Sequence, residues 1–293
     1  MPDYLTTKEL AELLRIKERK VYELVAEGAI PVSRVTGKFL FPRDTIDAWL
    51  RHNTELAGRL AALKEHPPVL AGSHDPLLDW ALRQSGAGLA TFFDGSGDGL
   101  AKLAEGRAMA AGLHLADPDG TGWNVAAVRE RLPGEPVVLL EWARRRQGLI
   151  VAAGNPHGIA RLADLAGRRF IARQPGSGSE RLAERLFAAE PGLSESVTMV
   201  EPPARSEADV GQAVAGGHAD AGLGIEAAAR QYRLGFVPLA QERYDLAVWR
   251  RDYFEPPLQR LLAFCRTAAF ARQAEEIGGY DLSGFGTVHY NGP

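Results

Sequence analysis

The chain has 293 residues, of which 45% are apolar and 24% charged, with 34 Lys and Arg against 37 Asp and Glu. That length holds two or three compact units, and the mixture excludes a wholly disordered or fibrous chain. A formal charge of -3 excludes a chain-wide basic field, so any nucleic-acid contact must come from a local surface; the single cysteine, Cys265, excludes a disulfide framework or a cysteine-built metal cluster.

In chain order, MPDYLTTKEL carries no basic leader before an apolar stretch, and no later apolar run spans a bilayer, so a soluble cytoplasmic protein without a membrane partner is expected. Thr6 followed by Glu9 reads as a capping box that starts a helix with Leu10, Leu13 and Leu14 as its apolar face. Arg15-Ile16-Lys17 makes a short turn. A second helix then runs from about Glu18 to Glu27, with Val21, Leu24 and Val25 inward and Arg19, Lys20 and Glu23 toward water. Gly28 ends it with a left-handed cap. PVSRVTGKFLFP holds two β-prone runs joined at Thr36-Gly37, a hairpin signal, and DTIDAWLRH supplies a third helix packed through Ile46 and Trp49.

Two short helices, a tight turn and a hairpin make a winged helix-turn-helix, whose second helix enters a major groove while Arg34 and Lys38 at the hairpin touch phosphates. Residues 1–66 hold 11 Lys and Arg against 10 Asp and Glu, with the positives concentrated at Arg15, Lys17, Arg19, Lys20, Arg34, Lys38 and Arg43. The same spacing also suits a protein-interaction module with ordinary surface charge. The segments TTKELAELL, EGAIP and FPRDTIDAWL, covering about 50 residues, resemble the DNA-binding domain of excisionase and MerR-like regulators. The resemblance implies a head over residues 1–52 that binds operator DNA, with Thr7, Lys17, Arg19, Lys20, Arg34 and Lys38 as contacts. Residues 53–67 read as a helical linker stopped by Pro67 and Pro68; its Leu56, Leu60 and Leu63 serve either self-association or packing on the head. A single head makes few contacts, so a homodimer is expected, with a tetramer as the alternative.

Beyond Pro68, short apolar runs alternate with helical stretches of about ten residues, which predicts crossover units and mostly parallel sheets. Five loops stand at expected strand ends: Gly72–Pro76, Asp94–Gly99, Gly112–Asp117, Arg173–Ser179 and Asp220–Glu226. Their glycines bring backbone N–H groups close, their serines add hydroxyls, and the helix starts behind them favour negative charge, so together they suit a small anion. Taken singly, each is as well explained by helix capping. GSGDG and PGSGS lack the Lys-Ser or Lys-Thr of a phosphate loop, and no GxGxxG sits between a strand and a helix, so no nucleotide cofactor is expected. His74 and His114 lack a third ligand at helical spacing, so no metal is expected either. Ser73-His74-Asp75 contains the residue types of a hydrolytic triad, but adjacent residues cannot line up as a relay. Asp98, Asp117 and Glu226 remain as acids or bases for an enzyme, a weaker reading than a non-enzyme.

GSHDPLLDWAL, GLHLADPDGTGWN, GLIVAAGNPHGI, RQPGSGSERL, GGHADAGLGIEAAA and VPLAQERYDLAV, in this order, resemble the type II periplasmic-binding-protein-like domain. In this family such domains are fused to DNA-binding heads or to molybdopterin-biosynthesis proteins. The fold class implied is α/β: a winged head followed by a two-lobed domain over 68–293, with the second lobe at about 152–240. The crossings fall near QGLIVAAGNP and FVPLAQERYDLAV, and EPPAR is a loop inside lobe two. The resemblance places Ser73, His74, Ser96, His114, Arg173, Gln174, Ser177, Ser179, Gly222, Gly224, Glu226 and Tyr244 around the cleft. Relatives are linked to molybdate and tungstate, whereas an arginine would equally favour a carboxylate. The expected function is a ligand-responsive transcription regulator. A small-molecule enzyme or molybdenum-cofactor assembly protein using the same cleft is the alternative.

Overall fold

A computed structural model describes residues 4–35, 37–53, 65–118, 120 and 122–293. The linker residues 54–64, with Leu56, Leu60 and Leu63, and the hairpin residue Thr36 lie outside the described residues. Two compact units divide between Glu65 and His66.

The first unit contains β1 (Tyr4–Leu5), α1 (Thr7–Leu14), α2 (Glu18–Ala26), β2 (Ser33–Val35), β3 (Lys38–Pro42) and α3 (Arg43–Asn53). Thr6 and Glu9 form the reciprocal capping box, the Thr6 backbone N–H donating to the Glu9 carboxylate at 2.7 Å. Arg15 takes the left-handed conformation that breaks α1, so α2 sets off in a new direction after three residues. The interior is Leu10, Ala11, Val21, Val25, Ile30, Phe41 and Ile46. Leu13, expected inside, is exposed, because the inward stripe of α1 runs through Leu10, Ala11 and Leu14. The wing gains a strand that sequence reasoning missed: β1 pairs with β3 to give a sheet ordered β1-β3-β2. The Trp49 indole N–H donates to the Ala29 carbonyl at 2.8 Å, tying α3 to the chain entering the wing.

In the second unit the strands are β4 (Val69–Gly72), β5 (Ala90–Phe92), β6 (Ala110–Leu113), β7 (Val137–Val151), β8 (Arg169–Arg173), β9 (Thr198–Ala204), β10 (Ala221–Ile225), β11 (Gly235–Trp249), β12 (Tyr280–Asp281) and β13 (Val288–Asn291). The helices are α4 (Pro76–Gln84), α5 (Ser96–Ala104), α6 (Val125–Arg131), α7 (Gly178–Ala188), α8 (Leu193–Ser196), α9 (Glu207–Ala215), α10 (Glu226–Gln231), α11 (Pro256–Phe264) and α12 (Ala268–Ile277). One sheet runs β5-β4-β6-β11-β7-β10-β8-β9, with β12 and β13 also on β7. Its outer portions are parallel, as crossover units require; the middle is antiparallel, because β7 and β11 pair with each other through both lobes.

Lobe one packs through Leu70, Leu77, Trp142, Tyr244 and Phe270, and through Leu103, Leu113, Leu139 and Trp249. Lobe two packs through Leu149, Phe170, Phe187 and Leu223 on one face of its sheet and Ile150, Val210 and Ala228 on the other.

Two loop expectations are corrected. EPPA lies within β9, where Pro202 and Pro203 are tolerated because β9 is an edge strand. Ala221–Ile225 is a fully buried central strand rather than a loop. Gly222 faces α9, where a Cβ would stand 2.6 Å from Val210 and 2.8 Å from Ile171, so glycine there serves helix-on-sheet packing.

Candidate functional site

β7 and β11, paired through both lobes, carry the join between them, where the ligand cleft is expected. In the crossing stretch of β7, Arg144 and Arg146 are exposed while Arg145 and Gln147 are buried, the period of two that a pleated strand imposes. Directly opposite Arg145 on β11 is Glu242, and their side chains form a buried ion pair. Arg145 also donates to Asp75 at 2.9 Å, and the Tyr280 hydroxyl donates to the same carboxylate at 2.7 Å. Asp75 therefore has two tasks, since its other oxygen caps α4 by accepting from the Leu78 N–H.

Glu242 leads on to His114. The His114 Nδ1 lies 2.8 Å from Glu242 Oε2, and its Nε2 lies 2.9 Å from Ser73 Oγ. The imidazole is also stacked on Tyr244, whose hydroxyl donates to the Ser73 carbonyl. Ser96 Oγ accepts the His114 backbone N–H at 3.1 Å. Close packing holds these loops together: a Cβ on Gly112 would lie 1.9 Å from Tyr244 Oη, and one on Gly99 would lie 2.2 Å from the Gly72 Cα. Burial opposes the Glu242 charge, but Arg145 and then His114 outweigh it and hold the carboxyl down at about 2. Burial likewise opposes the Arg145 charge, which Glu242 and Asp75 restore and raise. Tyr244 and Tyr280 are pushed well above the ordinary phenol value by burial and then by Asp75.

Lobe two answers with a second buried array. Arg173 donates to Glu207 at 2.6 Å and to the Arg205 carbonyl, while Ser179 donates to the same Glu207 oxygen at 3.1 Å. The other Glu207 oxygen accepts the Ile225 N–H, an approach that glycine at 224 permits, because a Cβ there would be 2.5 Å from that carboxylate. Gln147 stands between the arrays, donating to Ser179 at 3.4 Å and helping to keep the Glu242 carboxyl low, while its own buried side-chain oxygen has no partner.

The two lobes meet at helix starts. A Cβ on Gly178, in the first turn of α7, would lie 2.5 Å from His114 Nδ1, and one on Gly97, in the first turn of α5, would lie 3.7 Å from the Gly176 carbonyl. The first-turn N–H groups of both helices have no intrahelical acceptor, and they bring positive partial charge to this junction.

The expected site residues thus divide. Ser73, Ser96, His114 and Tyr244 come together in lobe one, and Arg173, Ser179 and Gly224 join Glu207 in lobe two. Ser96 lies in the first turn of α5 rather than in a loop. Ser177 caps α7, accepting the Glu180 N–H at 3.1 Å. His74 is half-buried with its ring edge against Phe93. Gln174 turns its amide toward the Ala204 and Arg205 carbonyls. Glu226 pairs with Arg146 and Arg230 at the start of α10, and Gly222 lies in the core of lobe two. Asp75, Arg145, Gln147, Glu207 and Glu242 were missed as site residues.

On the head, Lys17, Arg19, Lys20, Arg34 and Lys38 are exposed and Thr7 is half-buried. Arg19 and Lys20 both reach Glu23 on α2, at 3.3 and 3.2 Å. The Arg34 guanidinium lies over Phe39, which also meets the exposed Tyr22 of α2. Among the described residues no helix is long and apolar enough to cross a membrane.

Comparison with known proteins agrees with both units. Residues 4–54 match a helix-turn-helix domain model. An uncharacterised Bacillus subtilis protein, YvgK, is 26% identical over 97% of this chain and 96% of its own length. Among solved structures, a hydrogen-peroxide-bound mutant of Corynebacterium glutamicum OxyR is similar at a TM-score of 0.50 and 16% identity, covering 92% of this chain and 91% of that one. The Mycobacterium tuberculosis sulfate-binding protein SubI also scores 0.50, at 15% identity, over 72% of this chain and 85% of its own. Residues 79–266, more than half of the chain, match the PBP superfamily domain, and the protein belongs to that family, with a helix-turn-helix domain ahead of it.

Proposed function

We propose that the protein is a one-component transcription regulator: the head binds operator DNA as a homodimer, and the body closes on a small anion. The observation that carries this reading is the junction of the α5 and α7 starts, one from each lobe, against Ser73, Ser96 and His114. Every buried ion in the cleft already has an opposite partner, Arg145 with Asp75 and Glu242, Arg173 with Glu207. The paired NH1/NH2 ends of both guanidiniums are taken, and the donors left for a ligand are the Nε–H groups of Arg145 and Arg173, hydroxyls and backbone N–H groups, which suit a compact oxyanion such as molybdate or tungstate better than a carboxylate that wants the paired end of a free guanidinium. Ligand-driven closure alters DNA affinity only as far as the ligand binds the two states differently.

The test combines mobility shifts on genomic operator fragments with calorimetry against molybdate, tungstate, sulfate and small carboxylates. Arg19→Glu with Lys20→Glu is expected to weaken DNA binding at least tenfold at fixed salt without loss of folding, since both side chains are solvent-exposed. Unchanged DNA affinity in that double variant removes α2 from the DNA-reading role, and absence of binding by every anion removes the ligand class.

A further inference from the structure

Ser73, His114 and Glu242 are far apart in sequence yet form a continuous hydrogen-bonded line, and all three are at least nine-tenths buried. The donor and acceptor bookkeeping of that line is restrictive. Glu242 is a carboxylate, held by Arg145, so it only accepts, and the His114 Nδ1 must carry a proton toward it. What remains variable is Nε2. In the neutral imidazole Nε2 has a lone pair, so the Ser73 hydroxyl spends its one proton on it and turns only lone pairs toward the cleft. In the imidazolium Nε2–H donates to Ser73 Oγ, and the hydroxyl proton is released to meet a ligand oxygen.

We infer that His114 sets the charge form in which the cleft takes its ligand: a fully ionised oxyanion binds at Ser73 together with one proton, which resides on the His114 imidazole. The inference rests on the anion reading of the cleft and adds what that reading leaves open, the protonation step that selects an ionised ligand.

The imidazole is faced by groups of both signs. On β11, Glu242 favours the imidazolium and the neutral Tyr244 ring stacks on it at 6.0 Å between centroids. On β7, Arg145 opposes it, lying on Glu242 and 4.4 Å from the Tyr244 ring centre. From lobe two the α7 start, at Gly178, opposes it with the positive end of a helix. From α5, Ser96 meets the His114 backbone rather than the ring. An anion arriving between the α5 and α7 starts cancels the two opposing influences at once.

Calorimetry with sulfate, molybdate and tungstate, which stay fully ionised near neutral pH, tests this in two buffers of different ionisation enthalpy at each pH from 6 to 9. The expected result is uptake of about one proton per anion on the alkaline side, with affinity falling up to about tenfold per pH unit there. In His114→Gln, which keeps a donor near Ser73 but cannot gain a proton, uptake falls to zero and the affinity becomes independent of pH. Anion binding by the wild-type protein without proton uptake across that range overturns the inference and leaves the anion reading intact. Uptake that persists in His114→Gln overturns it too, while failure of every anion to bind overturns the anion reading and the inference with it. The wild-type proton count decides the matter even if the variant does not fold.

Discussion

Replacing Arg145 by Met keeps most of its volume and removes the one cation shared by Asp75 and Glu242. Both carboxylates are fully buried or nearly so, and breaking a buried pair in this way is expected to destabilise by about 3–5 kcal/mol. For a body of this size that is a fall in Tm of roughly 6–20 °C. The pH dependence gives a sharper test. A carboxyl held at about 2 instead of its ordinary 4.5 contributes about 3 kcal/mol of linked stability. In the wild-type protein this contribution is present above 4.5 and is lost as pH falls toward 2. Without Arg145, burial dominates and the Glu242 carboxyl moves up, so mild acidification stabilises the variant where it does nothing for, or weakens, the wild-type protein. Urea midpoints at pH 7.5 and 5, followed through the fluorescence of the tryptophans that include the fully buried Trp142, read both effects. A loss under about 1 kcal/mol, or wild-type-like acid sensitivity in Arg145→Met, refutes the reasoning.

Gly178→Ala puts a Cβ 2.5 Å from the buried His114 ring and 2.6 Å from its carbonyl at the lobe junction, so ligand-free stability is expected to fall by about 1–3 kcal/mol through overpacking and anion affinity to fall at least tenfold. Calorimetry and a ligand-free melt check the two halves separately; unchanged affinity means that this contact is not kept in the bound state. Thr6→Ala removes the Oγ1 that accepts the Glu9 N–H, leaves the Thr6 backbone N–H free to donate to Glu9, and is expected to cost the head about 1 kcal/mol, read from its thermal transition. Ser177→Ala is expected to lower stability by a similar amount through loss of the α7 cap, and calorimetry of the folded variant separates that effect from any change in affinity.

Much of the head was legible because its signals are local. Thr6 and Glu9 are three residues apart, Gly28 ends its own helix, and the paired wing strands β2 and β3 are only two residues apart in the chain. β1 was missed because a two-residue strand has no pattern of its own and exists only through β3. In the body, the two-lobed arrangement and the crossings came from the order of phrases along the chain, not from periodicity. The site divided by the same criterion. Ser73 and His114 stand beside glycines at strand ends and were visible, whereas Glu242 and Arg145 sit in QERYD and ARRRQ, polar runs that read as exposed. What buries one residue in two there is the pairing of β7 with β11, a contact across 97 residues that no local pattern encodes. Gly222 and Gly224 were misread for the opposite reason: a glycine-rich run resembles a loop, yet here the absent side chains admit α9 and the Glu207 carboxylate.

The long antiparallel ladder has a further consequence, for how the body is divided. Lobe two leaves lobe one at Gln147 and returns at Ala240, and those residues are directly paired. The whole intervening lobe is therefore an insertion at the tip of a hairpin. Its buried apolar residues lie between 149 and 229, with Ile277 and Tyr280 of the later stretch packed against one face, while the interior of lobe one comes from the two flanking stretches. Cutting the chain after Gln147 and rejoining it at Ala240 through an Asn-Gly pair would close β7 onto β11 with the shortest favoured turn, without changing their register. Lobe one is in this sense a complete sheet-and-helix body with lobe two mounted on it, and the mounting point lies two residues from Arg145 and two from Glu242.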